Sequence, residues 1–404
     1  MVDLHVPSDG LHTSDSHYKV EASFCEIDWE LHKEDPAKVS FFAGLKEQSK
    51  SCAATMRTFD LHDIVQRVRS HDDAPDSSMR SIPPKGVIFH ESRCGSTLAA
   101  NILASFAPHK TRIYSEHVVP IKALKACSNH RKDSTITHRN SCNHELHMQL
   151  IRDVYYILGR ASLDSEMEHV FYKTNSGGMY IDKFTSAFPD TPWAYMFRDT
   201  HEIMQSHWKV AEESADMSQL EDVKCSRLYR NPNQPPTTQA VLDRASKEYH
   251  ELTRTEYCAA HLASISLAVM QEHQRTGKGR FINYNQMPAV MWQTLLPIDF
   301  GIEVDSAMID NMMQLTHVYS KGHQQGRANE KWVSDADHKK KSITQNVTRA
   351  VEMLSPDTYA QLERISQKQQ REPETWMLLG KRKNWMDFIL FKKRAVFMWK
   401  YNII

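Results

Sequence analysis

The chain has 404 residues, 40% of them hydrophobic, and its 50 basic residues balance 50 acidic ones to a formal net charge of zero. That length supports one large α/β domain with additions, or two domains at most. The neutral balance and a pI near 7.4 exclude the strongly basic profile of a nucleic-acid-binding protein, and no run of about eighteen apolar residues offers a membrane anchor.

Residues 1–20 are polar and rich in His, Ser and Asp, without the apolar core of a signal peptide, and read as disordered. Amphipathic stretches such as Phe41-Phe42-Ala43-Gly44-Leu45 and Leu61-His62-Asp63-Ile64-Val65 predict a small N-terminal cap over residues 20–67. Arg69 to Pro84, rich in Asp, Ser and Pro, reads as a linker or exposed loop. Residues 1–83 are therefore expected to form a partly disordered N-terminal extension.

Strand candidates follow at Gly86–His90, Arg112–Ser115, Val170–Thr174, Trp193–Arg198 and Phe281–Tyr284. Helical stretches separate them at Thr97–Phe106, Glu145–Leu163, Tyr180–Phe188, His201–Glu212 and Val241–Arg275. Alternation of this kind implies right-handed crossovers, and so an α/β fold: a three-layer parallel sheet with helices on both faces. The aromatic and basic tail within residues 371–404 could lie on a membrane surface, but is expected to pack back on the domain with its lysines reaching water.

Seven scattered cysteines, Cys25, Cys52, Cys94, Cys127, Cys142, Cys225 and Cys258, read as reduced thiols of a cytoplasmic protein. Asn346-Val347-Thr348 matches a glycosylation acceptor and is set aside for want of a secretory route. Val118 to His147 holds Cys127, His130, His138, Cys142, His144 and His147. These are zinc-ligand types, but their spacing matches no common zinc pattern, so a substrate-facing lid is expected and no metal.

Two segments carry the functional reading. Gly86 to Leu98, GVIFHESRCGSTL, is a strand, a tight turn and the start of a helix. A helix N-terminus presents unpaired N–H groups and a positive dipole end to an anion, and Gly95 lets the backbone approach closely. Arg93, Ser96 and Thr97 add donors. It is not a Walker A loop, because Gly95 is followed by Ser96 rather than Lys. The second segment, Trp193 to Ser206, again runs from an apolar strand into a helix. It places Arg198 at the strand end and Ser206 about two turns along the helix, a spacing that can converge on one phosphate.

The first segment resembles the 5′-phosphosulfate loop of the sulfotransferase superfamily, and the second its 3′-phosphate site. The resemblance spans roughly residues 84–370. It implies a P-loop NTPase-like sulfotransferase fold that moves a sulfuryl group from 3′-phosphoadenosine 5′-phosphosulfate to a hydroxyl, or in second place an amine, of a small-molecule acceptor. On it Arg93, Cys94, Gly95, Ser96 and Thr97 bind the 5′-phosphosulfate, with Cys94 in place of the usual serine, while Arg198 and Ser206 bind the 3′-phosphate. Arg93 stabilises the leaving oxygen. Lys173, in Phe171-Tyr172-Lys173-Thr174-Asn175, matches a family lysine, but Asn175 stands where the family has its catalytic histidine and cannot take a proton. The base then falls to Glu116 or His117, in Tyr114-Ser115-Glu116-His117. Histidine has the better-matched ordinary pKa.

Tyr284 falls where a family tyrosine approaches the adenine. Lys321 and Arg327 fall in a basic loop of the kind that closes over the 3′-phosphate. Val118–His147 and Lys209–Pro236 are expected to build the acceptor pocket. Two other readings stay open: a P-loop nucleotide-dependent kinase or hydrolase, and a non-catalytic relative that keeps the nucleotide pocket. The chain is expected to be a monomer or a homodimer.

Overall fold

The computed structural model describes residues 1–7, 10–12, 14–128, 142–212, 236–316 and 343–371. The chain opens with a three-stranded antiparallel sheet of β1 (Asp3–His5), β2 (Glu21–Phe24) and β3 (Arg57–Asp60). Between β2 and β3 lie the short helices α1 (Glu30–Glu34), α2 (Phe42–Gln48) and α3 (Cys52–Thr55), and after β3 comes α4 (Leu61–Asp72). Asp60 caps α4 by accepting from the Asp63 N–H at 3.0 Å.

This N-terminal region is built into the molecule. Val2, Leu4, Leu11, Tyr18 and Val20 are all buried in the main core, and the Tyr18 hydroxyl donates to Asp153 at 2.8 Å. The expectation of disorder over residues 1–20 is corrected accordingly, since these apolar side chains recover hydrophobic free energy only when docked. The expected linker is also structured. α4 reaches Asp72, and β4 (Met79–Ser81) pairs antiparallel with β7 (Arg160–Ser162). Arg160 makes a two-pronged contact with Asp72 at 2.8 and 2.9 Å, joined by the Tyr156 hydroxyl at 2.9 Å.

The central sheet holds β5 (Pro84–His90), β6 (Thr111–Ser115), β8 (His169–Thr174), β9 (Trp193–Phe197) and β10 (Arg280–Asn283). The five strands are parallel, in the order β10-β9-β5-β8-β6. Each expected strand is present within two residues of its expected ends. Their near-continuous apolar runs reflect burial on both faces. Alternate residues separate the faces: Val87, Phe89, Tyr172, Tyr195 and Phe281 enter one core, and Ile88, Phe171, Met196 and Ile282 the other.

Helices cover both faces. α5 (Ser96–Ser105) and α12 (Ser306–Thr316) lie on one, with the helical segment Met291–Asp299. On the other lie α6 (Val118–Leu124), α7 (His144–Leu158), α8 (Ile181–Ala187) and part of α11 (Arg254–Thr276). α11, α9 (Thr200–Glu212), α10 (Pro236–Arg244) and the helix Gln345–Leu354 enclose a third core. The helical stretch expected over Val241–Arg275 is divided between α10 and α11, because Thr253 restarts the chain with a capping box closed by Glu256. Among the described residues no helix is long and apolar enough to cross a membrane.

The reading of the cysteines as reduced thiols is overturned. Cys25 pairs with Cys52 and Cys127 with Cys142, and Cys258 is also disulfide-bonded. Cys94 is a free, buried thiol.

Candidate functional site

Parallel strands all end on one edge, and the loops leaving that edge form the crevice where α/β proteins place ligands. The described candidate residues lie at or near that edge, at the ends of the sheet strands and on the segments that follow them. β5 ends at His90, and Glu91 to Gly95 turn the chain into α5. Gly95 caps that helix with φ of +83°. A Cβ at Gly95 would lie 2.8 Å from the Tyr284 ring, so the position excludes a side chain on two grounds. Ser96 and Thr97 are buried in the first turn of α5. A first helical turn of this kind carries the positive end of the helix dipole, which favours an anion.

Backbone strain marks the same place. Among the described residues three non-glycine positions have positive φ: Arg93 at 63°, Glu116 at 51° and Ser246 at 51°. Two of the three belong to this edge, and strained backbone of this kind concentrates at functional sites because packing elsewhere must enforce it.

Glu91, unmarked as a site residue in the sequence, organises the loop. It is fully buried. Its carboxyl accepts from the Ser266 hydroxyl at 2.6 Å, the Tyr195 hydroxyl at 3.2 Å and the Arg198 N–H at 3.3 Å. Burial pushes this carboxyl up to about 7, more than those hydrogen bonds and the Asp199 charge alter it. Its backbone carbonyl accepts from the Cys94 thiol at 2.9 Å. Burial, with Glu91 nearby, pushes that thiol up to about 12, so Cys94 is a packing element rather than a nucleophile.

On the next strands, Lys173 at the end of β8 has a fully buried side chain whose Nζ contacts Glu116 at 2.7 Å and Ser115 at 3.3 Å. The His90 Nε2 lies 3.6 Å from the same Glu116 oxygen. Phe41, from the N-terminal region, lays its ring 4.7 Å from Lys173 Nζ. Glu116 keeps a third of its side-chain surface exposed. The two base candidates thus part company. Glu116 opens onto the crevice with a cation beside it. His117 turns into the fold, where Nδ1 accepts from the Val119 N–H at 3.0 Å and Nε2 meets the Met1 carbonyl at 3.1 Å. Its ring lies 3.8 Å from that of Phe42, and burial, aided by the amino-terminal charge, pushes it down to about 3. His117 is the N-cap of α6 and has no face toward the crevice. The preference for histidine on its ordinary pKa fails because burial removed the property that recommended it.

The second anion element lies on the other side of β5. Arg198 follows β9, and its Nε donates to Glu202 at 2.6 Å while its guanidinium stacks 4.2 Å over the Tyr284 ring. Tyr284 therefore bridges the two loops, touching Gly95 on one side and Arg198 on the other. A second tie runs from Ser92 Oγ to His207 Nε2 at 2.7 Å, joining the β5 loop to α9 beside Ser206. Ser206 is buried and its hydroxyl has no hydrogen-bond partner among the described residues. A buried orphan hydroxyl, a closely approachable glycine cap and a stacked arginine are what an anionic ligand would satisfy. Arg198 departs from expectation in one respect: it is buried and already holds Glu202.

Lys321 and Arg327 lie outside the described residues, as do 129–141 and 213–235 of the two expected acceptor segments and the tail from 372. Cys127 and Cys142, proposed zinc-ligand types, are joined to each other. His147 turns its Nε2 to the Ala123 carbonyl at 2.9 Å. Among the described residues no group of three or more His, Cys, Asp or Glu side chains is arranged to hold a metal ion.

No protein-family model matches the chain, and no curated protein matches it in sequence. What the fold defines is a mixed α/β protein with a five-stranded parallel sheet flanked by helices.

Proposed function

We propose that the chain is a sulfotransferase of P-loop-like fold, transferring a sulfuryl group from 3′-phosphoadenosine 5′-phosphosulfate to a hydroxyl of a small acceptor, with no metal. The observation that carries this reading is the meeting of four groups at one sheet edge: the Gly95-capped turn with Arg93, the Arg198–Tyr284–Ser206 cluster, buried Lys173, and half-buried Glu116 beside it. A kinase reading lacks the loop lysine and draws nothing from that pairing.

When bound, the donor supplies an activated sulfuryl group. The N–H groups of α5, with Ser96, Thr97 and Arg93, hold its 5′ end and bear the charge that gathers on the departing phosphate oxygen. Arg198 and Ser206 hold the 3′-phosphate, which requires Arg198 to share or exchange its contact with Glu202. Glu116 accepts the acceptor's proton as that oxygen bonds to sulfur and the sulfur–phosphate oxygen bond breaks, the electron pair leaving with the nucleotide. Lys173 holds Glu116 in place through its 2.7 Å contact, and Glu116 takes the proton-accepting role that the asparagine at 175 cannot.

Incubation with sulfur-labelled donor and a panel of phenols, alcohols and amines tests the reaction. Transfer that Glu116→Gln slows by roughly a hundredfold or more supports it. Tight binding of the desulfated nucleotide without transfer to any acceptor would instead favour a non-catalytic relative.

A further inference from the structure

Among the described residues five cysteines are disulfide-bonded: Cys25 with Cys52, Cys127 with Cys142, and Cys258. They staple three separate parts of the molecule, the N-terminal region, the α6–α7 connection and α11. Buried Cys94 alone is described as a free thiol. Scattered structural disulfides of this kind persist where the surroundings are oxidising and are rare where glutathione keeps thiols reduced. Each forms when two thiols give up two protons and two electrons, here to a protein disulfide of the compartment, which is reduced to its dithiol.

A second, independent feature changes meaning in that setting. Asn346-Val347-Thr348 is an acceptor for N-linked carbohydrate, and the structure puts it on the surface. It opens the helix Gln345–Leu354, whose Thr344 cap accepts from the Val347 N–H. Val347, Ala350, Val351 and Leu354 turn inward to the third core, while Gln345 and Asn346 are exposed. A glycan at 346 would therefore stand in solvent and displace no packed side chain. Transfer takes place on the extended nascent chain, before the helix forms.

We infer that this protein matures in an oxidising, glycosylating compartment and carries an N-linked glycan on Asn346. The Asn346 amide nitrogen bonds to the anomeric carbon of a lipid-pyrophosphate-linked oligosaccharide. The carbon–oxygen bond to the pyrophosphate breaks, the lipid pyrophosphate leaves with the electron pair, and one amide proton is released. The cytoplasmic location expected from the cysteines does not survive their pairing.

The test uses the full chain recovered from the cells that make it, with thiols trapped in acid, alkylated under denaturing conditions before and after reduction, and mapped by mass spectrometry. The expected result is label on Cys94 before reduction, and on Cys25, Cys52, Cys127, Cys142 and Cys258 only afterwards. Peptide N-glycosidase should convert residue 346 to aspartate and increase the gel mobility. Asn346→Gln and Thr348→Ala, returned to the same cells, should both lose the glycosidase-sensitive shift, and Thr348→Ser should keep it. Should Asn346→Gln fail to accumulate, the Thr348 pair reads the same question with the asparagine intact. Cysteines labelled without reduction, an unmodified Asn346, or a shift that survives both Asn346→Gln and Thr348→Ala would each overturn the inference.

Discussion

At the scale of single residues, the site turns on which neighbour of Ser115 faces the crevice. Glu116 keeps a third of its side-chain surface exposed while His117 is buried as the cap of α6, so the two are not equivalent candidates. Glu116→Gln should lower turnover by roughly a hundredfold to ten-thousandfold, the usual worth of a positioned base, with little change in nucleotide affinity. His117→Ala should leave the pH–rate profile in place and cost about 1–3 kcal/mol of stability, since it removes a helix cap and a packed ring. The reverse pattern would return the base to His117. Glu91 makes a separate prediction. Its carboxyl is held near 7 in the fold, above its ordinary value of 4.5, chiefly by burial. A raised folded pKa contributes stability that is fully present below the unfolded value and is lost as pH rises through the folded one. Unfolding free energy should thus fall between about pH 5 and 8 by on the order of 3 kcal/mol. In Glu91→Gln, which keeps the shape without the charge, denaturant titrations across that range should show a flatter profile. An unchanged pH dependence in that variant would assign the effect to other groups.

At the scale of elements, the strands were legible because burial on both faces writes them as continuous apolar runs. The strand–turn–helix from Gly86 to Leu98 was legible because Gly95 marks the turn between an apolar strand and an apolar helix. Gly95→Ala should therefore be costly twice, in left-handed backbone and in collision with Tyr284, with a loss of about 1–3 kcal/mol in stability and weaker nucleotide binding. A variant of full stability and affinity would show that the loop can move away from Tyr284. What stayed illegible depends on partners far along the chain. Arg69 and Asp72 read as part of a solvated linker, yet Arg69 pairs with Asp153 and Asp72 with Arg160, 84 and 88 residues away. Phe41 gave no sign of its place over Lys173. Glu91 gave no sign of its place either, because nothing local announces that Ser266 and Tyr195 will converge on it.

At the scale of the whole molecule, the N-terminal region is continuous with the core on one face of the sheet and supplies Phe41 to the crevice, so removing residues 1–83 should cost fold and site together. Disulfide connectivity was beyond the sequence, since spacing alone does not say which cysteines meet. Breaking the Cys127–Cys142 bridge, which closes a separation of 15 residues, should destabilise by on the order of 3 kcal/mol, read as a lowered Tm in the Cys127→Ser/Cys142→Ser double variant. The central claim is that the two loops bridged by Tyr284 form one nucleotide site. Titration calorimetry with 3′,5′-adenosine bisphosphate tests it most directly, comparing the native chain with Arg93→Ala and Arg198→Ala. The account predicts one site per chain in the native protein, with Arg93→Ala and Arg198→Ala each weakened by roughly tenfold or more, the worth of a charge-assisted contact to phosphate. Absence of binding by the native chain, or affinity unchanged in both variants, would contradict it.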